Sequence, residues 1–136
     1  MGSRLKLIVS YDGASFSGWQ SQRDRNAIQD HLENAFQRIC SEHVRVHGAG
    51  RTDARVHALA QCAHVDLSTR RYEPDRWISA LNANLPLAIR VLSCRFVSEK
   101  FHARFSAKGK IYRYRIWNAA VLPPFERGRA KRAPAP

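Results

Sequence analysis

Two segments of helical period, set among segments of strand period, constrain this chain more than any other feature. Ile28, Leu32, Ala35, Phe36 and Ile39 recur at the spacing that puts one face of a helix against a core. That helix is expected from Ala27 to about Cys40, with Asn26 as its N-cap. A second helix is expected from Pro74, a residue suited to a first turn, to about Asn82, with Trp77, Ile78 and Leu81 on its core side. Elsewhere the period is two. Leu5, Leu7 and Val9 alternate with Lys6, Ile8 and Ser10, and Val44 and Val46 mark a short second strand. Ala63, Val65 and Leu67 share a face of a strand over 61–67, and Ile89 to Val97 reads as another. Lys110 to Trp117 sets Ile111, Arg113, Arg115 and Trp117 against Tyr112, Tyr114 and Ile116, a strand with one basic face. The order β-α-β-β-α-β-β predicts an α+β fold: an antiparallel sheet with two helices on one face. This split βαβ plan is ferredoxin-like and also underlies RRM-like RNA-binding domains. Residues 122–136 hold four prolines and lose periodicity, so a domain over 1–118 and a basic tail over 119–136 are expected.

Charge narrows the partner. The chain of 136 residues carries a formal net charge of +12. Residues 101–136 hold nine Lys/Arg and one acid, whereas residues 1–100 hold fourteen Lys/Arg and ten acids. Such a skew, interleaved with aromatics, points to a polyanion, most naturally a nucleic acid. A hydrophobic content of 44% supports a packed core rather than disorder. There is no apolar run of the ~18 residues a membrane helix needs, so no membrane partner is expected. Cys40, Cys62 and Cys94 form no CxxC pair and are odd in number. They read as buried thiols of a reducing, cytoplasmic compartment.

The most informative stretch is Gly48-Ala49-Gly50-Arg51-Thr52-Asp53-Ala54-Arg55-Val56-His57-Ala58. It lies between two expected strands and holds a lone carboxylate two residues after an arginine. Loop charges on a rigid scaffold are where function concentrates. The same residues would also suit a surface turn with a local Arg–Asp ion pair of little energetic weight.

This stretch resembles the catalytic loop of the tRNA pseudouridine synthase A family, GxGRTDxGVHA. Four further segments agree in order. Tyr11-Asp12-Gly13, Phe16 and Gly18-Trp19-Gln20 resemble the opening YDGxxFxGWQ. Asn82-Ala83-Asn84-Leu85-Pro86 resembles the NxxLP turn, and residues 101–107 resemble FHARFSA. Lys110-Ile111-Tyr112-Arg113-Tyr114 resembles KxYxY. The resemblance runs from about residue 4 to about 130. It implies isomerisation of uridine to pseudouridine in the tRNA anticodon arm, without metal, nucleotide or redox cofactor. By motif position Asp53 is the essential carboxylate, and Tyr112 is the active-site tyrosine, placed to stack on a flipped uracil. Arg51 suits holding Asp53 ionised, since a nearby cation favours the charged form.

Arg55, Arg104, Lys108, Lys110, Arg113 and Arg115 are expected to meet RNA phosphates, with an ordinary solvated strand face as the alternative. His57, inside the loop motif, is placed near the cleft and counted with the RNA-binding residues, without assigned chemistry. His43 and His47 share a strand, where four residues span about 13 Å, too far for one metal. Trp19 and Phe16 are expected to pack under the loop. Two departures from the family pattern stand out. Arg55 occupies a position that is usually glycine; with φ > 0 it would cost of order 1 kcal/mol, and with ordinary φ it would add a cation to the RNA path. The family's chains also have two pseudo-equivalent halves around one cleft, and this sequence resembles the first. The expectation is therefore an incomplete site with little autonomous turnover, and self-association, for instance as a homodimer, through an open sheet edge and an uncovered apolar face. The tail then reads as the start of the linker to a second half. The alternatives are a non-catalytic tRNA-binding domain and a gene fragment.

Overall fold

The computed structural model describes residues 2–107, 109, 111–113, 116–117 and 121–132. Strand β1 (Ser3–Tyr11) runs through the middle of a four-stranded sheet. Helix α1 (Ile28–Cys40), strand β2 (His47–Gly48), strand β3 (Ala58–Leu67), helix α2 (Pro74–Ala83) and strand β4 (Ile89–Val97) follow. The sheet order is β2-β3-β1-β4 and every pairing in it is antiparallel. This is the α+β, split βαβ arrangement expected from the alternation of periods.

The core lies on one face of the sheet. Leu5, Leu7, Val9 and Tyr11 of β1 are all buried, and so are Ala63, Val65 and Leu67 across the β1–β3 register. Ile28, Leu32, Ala35 and Phe36 of α1 and Trp77 and Leu81 of α2 complete the same cluster, so both helices cover one face. The Leu, Val, Ile and Phe side chains among them each contribute roughly 1.5–3 kcal/mol relative to exposure. The opposite face keeps Lys6, Ile8 and Ser10 only partly covered.

Four local expectations are corrected. Asn26 does not cap α1: its side chain donates to the Ser15 carbonyl (2.8 Å) and pairs with His31 Nε2 (3.0 Å). The carboxylate of Asp30 instead accepts the Ala27 N–H at 3.0 Å. The second strand falls at His47–Gly48 rather than at Val44 and Val46. Val46 is buried, but its N–H goes to Glu33 (2.9 Å) and its carbonyl to Gln29 Nε2 (3.2 Å). With both groups taken by α1 side chains, nothing is left for a ladder. The strand expected over 110–117 is reduced to β5 (Ile116–Trp117) among the described residues. Ile111 is 97% exposed, so its alternation has no face to bury against. The three cysteines are free thiols, but each is only half-buried.

The segment after residue 118 is not without structure. A 3-10 turn covers Pro124–Glu126, and β6 (Lys131–Arg132) pairs with β5 in parallel.

Candidate active site

The loop that joins β2 to β3 is held from beneath by residues 13–19. Trp19 N–H donates to the Thr52 carbonyl (3.1 Å) and Arg55 N–H to the Phe16 carbonyl (3.2 Å). Val56 N–H closes the turn on the Asp53 carbonyl (3.2 Å). Trp19 and Phe16 are buried below the loop, as expected. Glycine makes the approach possible. Gly18 has φ +86°, and a Cβ there would lie 2.5 Å from the Thr52 carbonyl oxygen. At Gly13 a Cβ would lie 1.9 Å from the Val56 carbonyl oxygen. Any side chain would therefore force the two loops apart.

Tyr11 adds an anchor that sequence reasoning missed. Its ring is buried at the end of β1, and its hydroxyl shares a 2.8 Å hydrogen bond with the Thr52 hydroxyl. Burial pushes the Tyr11 phenol above its ordinary pKa, the bond to Thr52 pulls it back, and the nearby Tyr112 phenol raises it again. Extending the alternation of Leu5, Leu7 and Val9 by one step would have put Tyr11 on the buried face, but nothing in it gives the partner across 41 residues. Gln61 Nε2 donates to the Gly50 carbonyl (2.6 Å) and fixes the front of the loop.

Asp53 thus sits between anchors at Thr52 and Arg55, with its side chain exposed. Arg51 is exposed too, and among the described residues it forms no ion pair with Asp53. Tyr112 is 62% exposed and lies close enough to Tyr11 for the two phenols to interact. Arg55 has φ +69°, the left-handed region that disfavours a side chain, so the strained alternative is the one realised. His57 faces the YDG turn: its Nδ1 accepts the Gly13 N–H (2.9 Å), with Asp12 Oδ1 3.1 Å from the same nitrogen, and its Nε2 meets the Gly128 carbonyl. Arg129 donates to Asp12 Oδ2 at 2.7 Å, so the far end of the chain touches the opening motif. Arg104 and Arg113 are exposed, while Lys108, Lys110 and Arg115 lie outside the described residues.

A histidine cluster also escaped the sequence. His47 does not pair with a neighbour in its own segment; it stacks on His64 (ring centroids 4.8 Å apart), and His102 packs edge-on against His64 at 4.6 Å. One ring nitrogen of each lies within 4.8 Å of the others. His64 Nδ1, however, accepts the Ala103 N–H (3.0 Å), and His102 Nδ1 accepts those of Arg104 (3.1 Å) and Phe105 (3.3 Å). The neutral rings therefore carry their proton on Nε2, and a metal could bind there only by breaking these bonds. The cluster is better described as a clasp that holds residues 101–107 to the sheet. Burial, with Arg4 and the other two histidines adding to it, lowers His64 to about 4, which keeps it neutral.

Two grooves among the described residues lie away from Asp53. A groove of about 410 Å³ lies between α1 and the end of α2, lined by His31, Asn34, Arg38, Asn84 and Leu85 among others. A smaller one of about 350 Å³ lies on the outer sheet face at Lys6, Ile8, Ser93, Cys94 and Arg95. The carboxylate stands instead on an open, basic surface, an arrangement that suits a polymer better than a small molecule.

Comparison with known proteins agrees with this geometry. The profile of the family described as tRNA pseudouridine synthase matches residues 7–106. The chain is 47% identical over 133 residues to the tRNA pseudouridine synthase A of Akkermansia muciniphila, covering 97% of this chain and 50% of that protein. It is 49% identical over 134 residues to that of Nitrobacter winogradskyi (98% and 52%), and 49% over 127 residues to that of Rhodospirillum rubrum (93% and 45%). The chain therefore spans about half the length of these relatives. With the match covering the pinned Asp53 loop, the loops beneath it and the sheet that carries both, the chain belongs to the tRNA pseudouridine synthase family.

Proposed function

We propose that this chain supplies the carboxylate-bearing side of a tRNA uridine-to-pseudouridine isomerisation in the anticodon arm, in the cytoplasm. The observation that carries the reading is Asp53, exposed yet fixed through Thr52 and Arg55 on a loop whose backbone cannot shift without breaking the 13–19 contacts. In the reaction the N1–C1′ bond breaks, the uracil turns, and C5 bonds to C1′. The hydrogen on C5 leaves as a proton and N1 gains one. Asp53 must be ionised whether it attacks the sugar carbon, attacks the base or removes a ribose proton. Tyr112 stacks on the flipped base, and its hydroxyl is available for a hydrogen bond. Arg51, beside the carboxylate in sequence, and Arg55 meet the target strand. Arg104, Lys108, Lys110, Arg113 and Arg115 meet the phosphates around it, and His57 borders the RNA path with both ring nitrogens engaged by Gly13 and Gly128. Residues 1–118 form the functional domain in this reading, and 119–136 begin a connection. Tritium release from tRNA labelled at uridine C5 tests it: release by the chain that disappears in Asp53→Ala supports it.

A second reading is favoured by a specific observation. Asp53, Arg51, Arg55 and Tyr112 are all open to solvent. Catalysis of this kind relies on a preorganised, water-excluding site. The chain alone then grips tRNA with little turnover. Salt-sensitive tRNA binding without tritium release selects this reading, and no binding at all removes both. We also propose self-association through the open β4 edge, which sedimentation equilibrium checks.

A further inference from the structure

Residues 101–107 carry a feature that neither the carboxylate nor the phosphate-facing cations account for. Phe105 is 78% exposed, although the backbone that bears it is tightly held. His102 N–H donates to Ser106 Oγ (3.0 Å), and Ser106 N–H donates back to the His102 carbonyl (2.7 Å). His102 Nδ1 accepts the N–H groups of Arg104 and Phe105, and His64 Nδ1 accepts that of Ala103. Arg4 donates to the carbonyls of Glu99 and Phe101, and Lys6 Nζ sits 5.3 Å over the Phe101 ring. The ring of Phe105 rests on His102, with centroids 4.4 Å apart and planes 33° apart. The Arg104 guanidinium lies 5.9 Å from its centroid.

A rigid loop that presents an aromatic ring to water beside a cation has the elements of a stacking platform. From this geometry we propose that Phe105, flanked by Arg104 and backed by His102, stacks on an unpaired nucleobase of bound RNA. The proposal rests on the RNA reading above and adds a contact that phosphate-facing cations cannot supply. Every base has a π-face, so such a contact tolerates any sequence, and Arg104 strengthens it by cation–π attraction or by pairing with the adjoining phosphate. An apolar protein partner fits less well. Among the described residues the groups found against the ring are His102 and the Arg104 guanidinium, both polar. Residues 101–136 moreover hold nine Lys/Arg against one acid. Because the loop is already ordered, little conformational entropy is lost on binding.

The test measures affinity for a tRNA transcript, for a single-stranded oligoadenylate containing 2-aminopurine and for an RNA duplex, each at several salt concentrations. Phe105→Ala is expected to weaken single-strand and tRNA binding about fivefold or more. It should also abolish the change in 2-aminopurine fluorescence, and leave duplex binding and the salt dependence as they were. Phe105→Trp is expected to restore both affinity and the fluorescence change. Arg104→Gln, by contrast, should lower the salt slope by about 0.7. Unchanged single-strand affinity in Phe105→Ala, with tRNA binding otherwise intact, overturns the stacking contact alone. So does a change in oligomeric state in that variant, which would assign the ring to a second copy of the chain. Absence of RNA binding by the unaltered chain overturns the RNA reading and this contact with it.

Discussion

The Asp53 loop and the segment after residue 100 are attached to the same sheet by different means. The first is welded by main-chain bonds to residues 13–19, by buried Trp19 and Phe16, and by two glycines at distances no side chain would allow. The second is held by polar contacts: the histidine clasp at 101–107, then His57 to Gly128 and Arg129 to Asp12. A carboxylate that must meet a reacting atom has to be held within fractions of an ångström, so close packing beneath it is the appropriate construction. A surface that meets a polyanion gains more from exposed charge, which polar anchoring of the backbone leaves free. The contrast is thus between a loop fixed by close packing of main chain and a segment fixed by polar side-chain contacts.

Five measurements would break or sharpen this contrast. The largest effect is expected at Gly18: Gly18→Ala should cost roughly 3 kcal/mol in chemical denaturation, because φ +86° and a 2.5 Å approach to the Thr52 carbonyl are both violated. Acidification comes next and acts on the other region. His64 is held neutral in the folded state at about 4, while the unfolded side chain titrates near 6.5. Its contribution to stability is therefore complete above about pH 6.5 and is lost as pH falls toward 4. Hydrogen exchange should show residues 101–107 loosening over that window, and His64→Asn should flatten the response. The Asp66 carboxylate, held below its ordinary range chiefly by the Arg4 hydrogen bond, contributes above about pH 4 and is lost only below it. Third, Tyr11→Phe should cost about 1 kcal/mol and speed exchange at 51–54, since Thr52 loses its partner in a buried site. Fourth, Arg55→Gly should gain about 0.5–1 kcal/mol by relieving the left-handed strain, visible as a raised Tm. The smallest effect belongs to Arg129→Gln: its ion pair with Asp12 is solvent-exposed, and its loss should change stability by less than about 0.5 kcal/mol. A loss at Arg129 comparable to that at Gly18 would erase the distinction between the two regions.

Much of the fold was legible because it follows from repetition. The period of α1 and α2 and the alternation of β1 and β3 each involve several residues whose burial serves one face. What failed involved single residues with competing partners. Val46 looked like a strand position until Glu33 and Gln29 took its backbone groups. Asn26 looked like a cap until Asp30 supplied one from inside the helix. Over 110–117 the alternation was regular, but alternation makes a strand only where a neighbouring strand accepts it. Within the candidate site, the motif named Asp53, Arg51 and Tyr112 as the residues to look for. It did not give the Tyr11–Thr52 bond or the meeting of His47, His64 and His102, which come from three separate segments. A histidine on a strand carries no mark of which ring it will meet.

By itself the sequence determined the α+β plan, the basic bias of the last quarter and the loop that bears Asp53, since each rests on residue type and local spacing. Only the tertiary structure decided that Arg55 adopts φ +69°, that Arg51 stands apart from Asp53, and that Phe105 faces water on a held loop. The physical reason is range. Period and charge act over a few residues or over the chain as a whole, whereas backbone strain, ion pairing and the exposure of one ring depend on which distant atoms come within a few ångströms.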